Sequence, residues 1–414
     1  MNPIHSVQVP RRFVRHEWGG TETVVFETSK RLVAMGNDCE IICPNALAEQ
    51  NYEFMEGIRI MRTPYFYPYW GLSEESRRQL DKKGGNMFSF SLLNLLLHIP
   101  ALHIIHLHTG NRIGGIGRFA ARRRRIPYLI SLHGGMFDMP KDEAASLTAP
   151  ARGSFEWGKA LGWCVGSRRV LDDAAAIVCV GKGEQLLVQR RYPNKRVEYL
   201  PNGVDLTKFR AGDGARFRRA HDIPPDARLY MTVGRIDPQK NQAAAIQALR
   251  ILRATQPNAH WAFMGPVTNE TYRQSLLRDI RESGLENVVR MIPGVSQGDP
   301  ALCDAYRAAD VFVLPSIHEP FGIVVLEAWA AGLPVIAANV GGVPHVITHG
   351  EEGLLFDPRD PDSLAQTCRD LTPERARLLA EKGRAKAERE FTWDIIATRL
   401  LKIYEEVIDA HPVR

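Results

Sequence analysis

The stretch Asp310–Ala338, DVFVLPSIHEPFGIVVLEAWAAGLPVIAA, decides the fold. "DVFVLPS" is a short apolar run ending in turn residues, the pattern of a buried strand. "LPVIAA" repeats that pattern after a helical segment containing "IVVLEAWAAG". Strand, helix and strand in that order form a parallel unit. Pro320 fits a helix's first turn and disfavours helical geometry at Glu319. The spacing therefore predicts a helix starting at Pro320, with Glu319 in the preceding loop and Glu327 more than a turn into the helix. The amides of Phe321, Gly322 and Ile323 then become first-turn donors, a ready anion site. Both glutamates have apolar flanks, and a buried carboxylate is costly unless it is paired or has a task. The competing reading pairs Glu319 with a surface cation and leaves Glu327 exposed on its helix.

The same alternation runs outward from this stretch. "HSVQV", "CEIIC", "IRIMR", "HIIHLH", "PYLISLH", "AAIVCVG" and "RVEYLP" read as strands in the first half. "ARLYMTVGR", "AHWAFMG", "NVVRMIPG", "DVFVLPS" and "LPVIAA" read as strands in the second. Helical patterns such as "TETVVFETSKRLVAMG" and "NQAAAIQALRILRATQ" lie between them. Alternation of this kind specifies parallel sheets covered by helices on both faces. The pattern restarts after "YLPNGVDLTKF", whose Pro-Asn-Gly is turn chemistry. A chain of 414 residues also exceeds one ordinary core. The expected fold class is α/β, with two doubly wound parallel-sheet domains at 1–202 and 203–390 facing a cleft. An amphipathic helix follows within 391–414. Ligands of such sheets bind outside the strand C-termini.

Composition narrows the partners. The chain is 44% hydrophobic and 24% charged, which is globular usage, and its net charge of +6 suits an anionic small molecule, a membrane surface or nucleic acid. No recognised nucleic-acid module is present, so nucleic acid is set aside. The dense basic run Arg122–Arg125 reads as a helix end opposing the dipole, or as a peripheral contact for membrane headgroups. The cysteines, at 39, 43, 164, 179, 303 and 368, form no C-x-x-C and mostly sit in apolar runs, as buried free thiols do. "MNPIHSVQVPRRF" lacks a signal-peptide apolar core, and "LLNLLLHIPALHII" is too short and interrupted to span a bilayer. The expectation is a cytoplasmic protein.

Three further segments carry candidate ligand chemistry. In "TVGRIDPQKNQAAAIQ", Gly234 permits close approach, while Arg235 and Lys240 place two cations ahead of a helix N-terminus. The helix dipole disfavours cations there unless an anion binds. In "HEWGGTETVV", Gly19 and Gly20 read as a tight turn bringing backbone close to a ligand, or as an ordinary strand-to-helix turn. In "SLHGGMFD", His133 ends a strand, from which it can donate to a phosphate or sugar oxygen. A nucleotide-sugar fits this inventory. Its diphosphate suits the cations and amides, and its two hydroxyl-rich ends suit two carboxylates.

These segments resemble retaining glycosyltransferases of family 4, which have the GT-B fold of two Rossmann-like domains. The resemblance runs through "LPNGVDLTKF", "VGRIDPQKN", the opening stretch extended to "NVGGVPHVI", "EEGLLFDP" and "FTWDIIATRLLKIYEEV", with "GGTE" and "HGG" in the first half. It implies that Glu319 contacts the transferred sugar and Glu327 the ribose hydroxyls. It implies that the amides of Phe321, Gly322 and Ile323 hold donor sugar and phosphate. Arg235 and Lys240 would neutralise the leaving diphosphate. Gly19 and Gly20 would belong to the donor site, Gly20 lending an amide to phosphate. His133 would reach the sugar or phosphate from the first domain. The last helix would cross back to that domain. One departure is Phe263 in "WAFMGPVTNE", where the family often has glycine, so the nucleotide base is left unnamed.

The implied reaction moves a sugar from a nucleotide-diphosphate sugar to an acceptor hydroxyl with retention. The sequence shows no clear nucleophile, so the leaving phosphate serves as base. No cofactor and no metal are implied, and no Asp-x-Asp loop lies near the diphosphate residues. Double displacement by two carboxylates is the alternative chemistry. A non-catalytic nucleotide-sugar binder and a dehydrogenase built on "GIGRFA", Gly115–Ala120, are the alternative classes. His106 and His108 share a strand face and permit a metal reading, though a strand end lining the acceptor side is preferred. The acceptor is expected to be a saccharide or glycolipid, as in surface-polysaccharide synthesis, carried by the first domain. Oligomeric state is open.

Overall fold

A computed structural model describes residues 3–411 apart from 83, 136, 138–148 and 297. The chain divides into two compact units, residues 1–201 with 393–414, and residues 202–392.

The first unit is built on eight strands: β1 (His5–Val9), β2 (Asp38–Pro44), β3 (Tyr52–Met55), β4 (Ile58–Thr63), β6 (Ile104–Leu107), β7 (Tyr128–Leu132), β9 (Ala176–Cys179) and β10 (Val197–Tyr199). The remaining pair, β5 (Tyr69–Trp70) and β8 (Phe155–Glu156), forms a separate ribbon. The main sheet runs β10-β9-β7-β6-β1-β2-β4-β3. Every pairing is parallel except β3 with β4. That edge hairpin departs from the all-parallel expectation. It closes through Glu56-Gly57, both at positive φ (48° and 84°), the geometry of a two-residue hairpin turn. "YEFM" escaped the strand reading because its side chains alternate between exposed and half-buried, with no apolar run to announce it.

Helices cover this sheet through apolar stripes. The last helix, Trp393–Asp409, buries Trp393, Ile396, Ala397, Leu400, Ile403, Tyr404 and Val407, a helical 3–4 spacing. It packs against the helix Gly20–Ala34. "GIGRFA" lies inside the helix Asn111–Arg124, not at a phosphate turn. A Cβ at Gly115 would meet Val165 at 2.7 Å, and one at Gly117 would meet Leu107 at 2.3 Å. These glycines are packing positions. At that helix's end, Arg124 donates to the carbonyls of Leu96, Leu97 and Ile99, and Arg122 pairs with Asp173 at 3.4 Å. Five cysteines are buried and Cys164 is exposed. No helix among the described residues is long and apolar enough to cross a membrane.

The second unit holds a wholly parallel sheet of β11 (Arg228–Val233), β12 (Ala259–Gly265), β13 (Val289–Pro293), β14 (Val311–Leu314), β15 (Val335–Ala338) and β16 (Leu354–Phe356). Its order is β13-β12-β11-β14-β15-β16. The chain winds outward from β11 to β13, then returns to β14 on β11's other side. The loops after β11 and β14 therefore flank the topological switch point, where open α/β sheets take ligands. Phe263 belongs to the core: it is fully buried and stacks on Trp261 at 6.1 Å. Close backbone approach falls instead at Gly265, where a Cβ would lie 1.9 Å from the Gly234 carbonyl oxygen.

Packing makes a specific demand at Gly383, where a Cβ would lie 2.3 Å from the indole nitrogen of fully buried Trp329. Alanine is the better helix former by about 1 kcal/mol. The overpacking penalty of about 1–3 kcal/mol outweighs that gain. Gly383→Ala is therefore expected to lower the melting midpoint, and a raised midpoint contradicts this packing.

Candidate functional site

After β11, Asp237 caps a short turn, Pro238–Lys240, accepting from the Lys240 amide at 3.2 Å. The turn aims the Lys240 side chain back across Gly234, whose Cβ, if present, would lie 3.5 Å from Lys240 Cε. The Lys240 ammonium then reaches the Glu319 carboxylate at 2.6 Å, across from the loop that follows β14. Arg235 pairs with Asp237 at 3.2 Å and donates to Gln239 Oε1 at 2.9 Å. Gln239 stitches the two loops: its amide nitrogen donates to the His318 carbonyl (3.1 Å), and its own carbonyl accepts from the Ile317 N–H (2.9 Å). Gln239 was missed in the sequence reading, because a lone glutamine in a polar loop carries no signal.

The helix after β14 begins at Ile323, so the expected start at Pro320 is corrected by three residues. Gly322 adopts φ 86°, a left-handed conformation that interrupts the helical run and serves as N-cap. Upstream, the chain is pinned from outside. The Gly342 N–H donates to the Glu319 carbonyl at 2.9 Å. A Cβ at Gly341 would fall 2.3 Å from that carbonyl oxygen, and one at Gly342 would fall 1.9 Å from the Pro320 oxygen. The pair in "NVGGVP" thus clamps the loop that presents Glu319. Their adjacency was the available signal. The first-turn amides accordingly start at Ile323. Phe321 is buried against Phe391, and Gly322 faces Leu314 and Glu319.

Glu319 lies in the loop and Glu327 in the helix, and both are buried. Glu327 accepts a hydrogen bond from Tyr306 at 2.6 Å. Burial, then the neighbouring Glu327 carboxylate, push the Tyr306 phenol far up. Tyr306 therefore remains a neutral donor to this carboxylate. The competing reading of Glu327 as an exposed helix residue is set aside.

In the first unit, Gly19 is extended (φ −127°) and caps the helix Gly20–Ala34. Its N–H donates to Glu22 at 3.1 Å. Neither Gly19 nor Gly20 has positive φ, and a Cβ at Gly20 would meet nothing within 4 Å, so the space beside its backbone is open. By contrast Gly134 and Gly135 sit at φ 90° and 86°, which side chains resist. They turn the chain just behind His133, which is half-buried at the end of β7. His133 Nε2 lies 2.9 Å from His108 Nδ1, and both nitrogens of His106 and of His108 are engaged by protein groups. Among the described residues no cluster of three potential metal ligands occurs.

Burial lowers the pKa of His106 to about 3 and of His133 to about 4, and depresses His108 strongly. An unfolded chain protonates these imidazoles near pH 6.5, where the native unit refuses the proton. Their contribution is thus fully present above about pH 6.5 and is lost as pH falls toward about 4. The melting midpoint of the first unit is expected to fall between about pH 7 and pH 5. The fall should shrink in His106→Gln, and an equally steep one there would contradict the assignment. In the second unit, Gly342→Ala is expected to displace the Glu319–Pro320 loop and cut activity by about tenfold or more. Wild-type activity in that variant would show that the clamp is dispensable.

Each unit is Rossmann-like, and the second carries paired cations and carboxylates at its switch point. Residues 213–388 match the family described as Glycosyl transferases group 1, and residues 19–203 match the Glycosyl transferase 4-like domain. The chain is 31% identical over 403 residues to the D-inositol 3-phosphate glycosyltransferase of Thermobispora bispora, covering 94% of this chain and 90% of that one. Identity to the enzyme of the same name from Streptomyces avermitilis is 30% over 409 residues, covering 95% and 84%. Among solved structures, Anabaena Alr3699/HepE in complex with UDP shares the fold, with TM-score 0.72, 19% identity and coverage of 97% and 100%. The chain belongs to the group 1 glycosyltransferases, family 4.

Proposed function

We propose that this glycosyltransferase moves a sugar from a nucleoside-diphosphate sugar to a hydroxyl of a saccharide or glycolipid acceptor, with retention of configuration. The observation that carries this reading is the Lys240–Glu319 pair held at the switch point of the second unit. Each cation there already has a carboxylate: Lys240 has Glu319, and Arg235 has Asp237. An arriving diphosphate competes for both cations. When Lys240 turns to phosphate, the Glu319 carboxylate is released to accept from sugar hydroxyls. Binding and activation are thereby one exchange of partners.

As the glycosidic bond breaks, negative charge builds on the leaving phosphate. On this reading Lys240 and Arg235, once exchanged onto the diphosphate, stabilise that charge as it develops without further reorganisation. The Ile323 end of the helix supports the same charge through its first-turn amides. Glu327, held by Tyr306, is proposed for the ribose hydroxyls. The leaving phosphate takes the acceptor's proton on the face it has just vacated, which retains configuration. On this reading the side-chain cations perform the neutralisation that a divalent metal performs elsewhere, and activity persists in chelator. The bound UDP of Alr3699/HepE supports a nucleotide donor. The printed name of the curated relatives favours a second acceptor class, a cyclic polyol phosphate.

A panel of UDP-, GDP- and ADP-sugars tests the donor. At about 100 times its dissociation constant a true donor stabilises the fold by about 2.7 kcal/mol. A panel with no shift contradicts the reading. With the donor known, Lys240→Ala is expected to lower kcat by about 10²–10³-fold in a sugar-transfer assay containing chelator. Glu319→Gln should slow transfer without leaving a trapped glycosyl-enzyme. A sugar found covalently on Glu319 by mass spectrometry would establish double displacement instead.

A further inference from the structure

Six side chains of the first unit form one unbroken hydrogen-bond chain. Ser131 Oγ lies 2.7 Å from His106 Nε2, and His106 Nδ1 lies 2.7 Å from the Tyr404 hydroxyl. Tyr404 accepts from Gln8 Nε2 at 2.9 Å, and Gln8 Oε1 lies 2.8 Å from His108 Nε2. His108 Nδ1 meets His133 Nε2 at 2.9 Å. The chain crosses β7, β6, the last helix and β1 before it emerges at half-buried His133. Five of its members are buried, and the second nitrogen of His133 has no hydrogen-bond partner among the described residues.

The direction of every link follows from the orientation of one amide. Gln8 Nε2 also lies 3.6 Å from Cys39 Sγ. The Cys39 thiol is in hydrogen-bond contact with Ser29 as well. Ser29 donates to the Val25 carbonyl at 2.6 Å and Ser6, also beside the thiol, to the Asp38 carbonyl at 3.4 Å, so both serines present lone pairs that can take the thiol proton. With the thiol proton given to a serine, the nitrogen of Gln8 faces Cys39 and Tyr404, and its oxygen faces His108. His108 Nε2 must then carry the proton. Burial keeps His108 neutral, which leaves its Nδ1 as an acceptor. His133 Nε2–H donates to it, and a neutral His133 is left with a lone pair on Nδ1. On the far side, Tyr404 accepts from Gln8 and donates to His106 Nδ1, and His106 Nε2–H donates to Ser131. All five links agree with one polarity.

We infer that Gln8 and Tyr404 are positioning residues that hold His133 in its Nε2–H tautomer, so that its open Nδ1 accepts a hydrogen bond from a ligand hydroxyl. This inference rests on the sugar-transfer reading for the identity of the ligand, a polyol such as the sugar or its acceptor. It narrows the role of His133: in this tautomer the open nitrogen repels a phosphate oxygen and attracts a hydroxyl proton. It also gives the last helix a chemical task, since Tyr404 is its contribution to the chain.

Long-range proton–nitrogen NMR of histidine-labelled enzyme reads each imidazole tautomer directly, with His133→Gln identifying the signals. The wild type is expected to show His133 protonated at Nε2 and bare at Nδ1 near neutral pH. An Nδ1–H form overturns the inference. Tyr404→Phe keeps the ring but removes the nearer of the two groups that the Gln8 amide nitrogen faces, which lowers the cost of flipping the amide. It is expected to populate the second tautomer at His133 and to lower kcat by about tenfold, with donor KM within about twofold. Ile396→Val, a buried control on the same helix, should soften the fold while leaving tautomer and kcat unchanged. An unaltered tautomer in Tyr404→Phe removes Tyr404 from the role. If the wild-type tautomer is as expected but no donor and acceptor pair is turned over, the transfer reading fails and the positioning stands.

Discussion

A single ammonium–carboxylate pair, Lys240 to Glu319 at 2.6 Å, organises the second unit's site. Both members are mostly enclosed, so removing one strands the other, a loss that typically costs about 3–5 kcal/mol. The surroundings exist to hold this pair in register. Asp237 builds the turn that aims Lys240, Gln239 ties the two loops together, and the Gly341–Gly342 clamp fixes the backbone of Glu319 from the opposite side. The parallel sheet supplies the place. Because the winding reverses between β11 and β14, the two loops rise from adjacent strands and their side chains meet.

This arrangement explains why the carboxylates in HEPFGIVVLEAW are tolerated in apolar surroundings. Glu319 has a cation as partner and Glu327 a phenol. A charge pair can be opened by a stronger anion. The Tyr306 phenol, held neutral by burial and by Glu327, serves as a fixed donor.

Much of this was legible in the sequence. Most strands of both units announced themselves as apolar runs between helical patterns, since parallel strands are buried on both faces, whereas the three-residue β16 and the two-residue β5 and β8 were too short to read. Pro320 separated Glu319 from Glu327 correctly, but it misplaced the helix start. The left-handed Gly322 interrupts the run that Pro320 suggested, and the clamp from Gly341 and Gly342 comes from a segment further along the chain, which local reasoning does not see. The edge strand "YEFM" hid because half of its side chains face solvent. "HIIHLH" raised the choice between metal ligands and a strand end. The structure uses His106 and His108 in a hydrogen-bond chain, and the partners that decide this, Gln8 and Tyr404, lie about 100 and 300 residues away.

The exchange of Lys240 from carboxylate to phosphate is the central claim, and a structure determined with an intact nucleotide-sugar bound tests it most directly. The account predicts Lys240 Nζ within hydrogen-bond distance of a diphosphate oxygen, with the Glu319 carboxylate turned to a sugar hydroxyl. A nucleotide-sugar bound while the Lys240–Glu319 pair stays closed would contradict it.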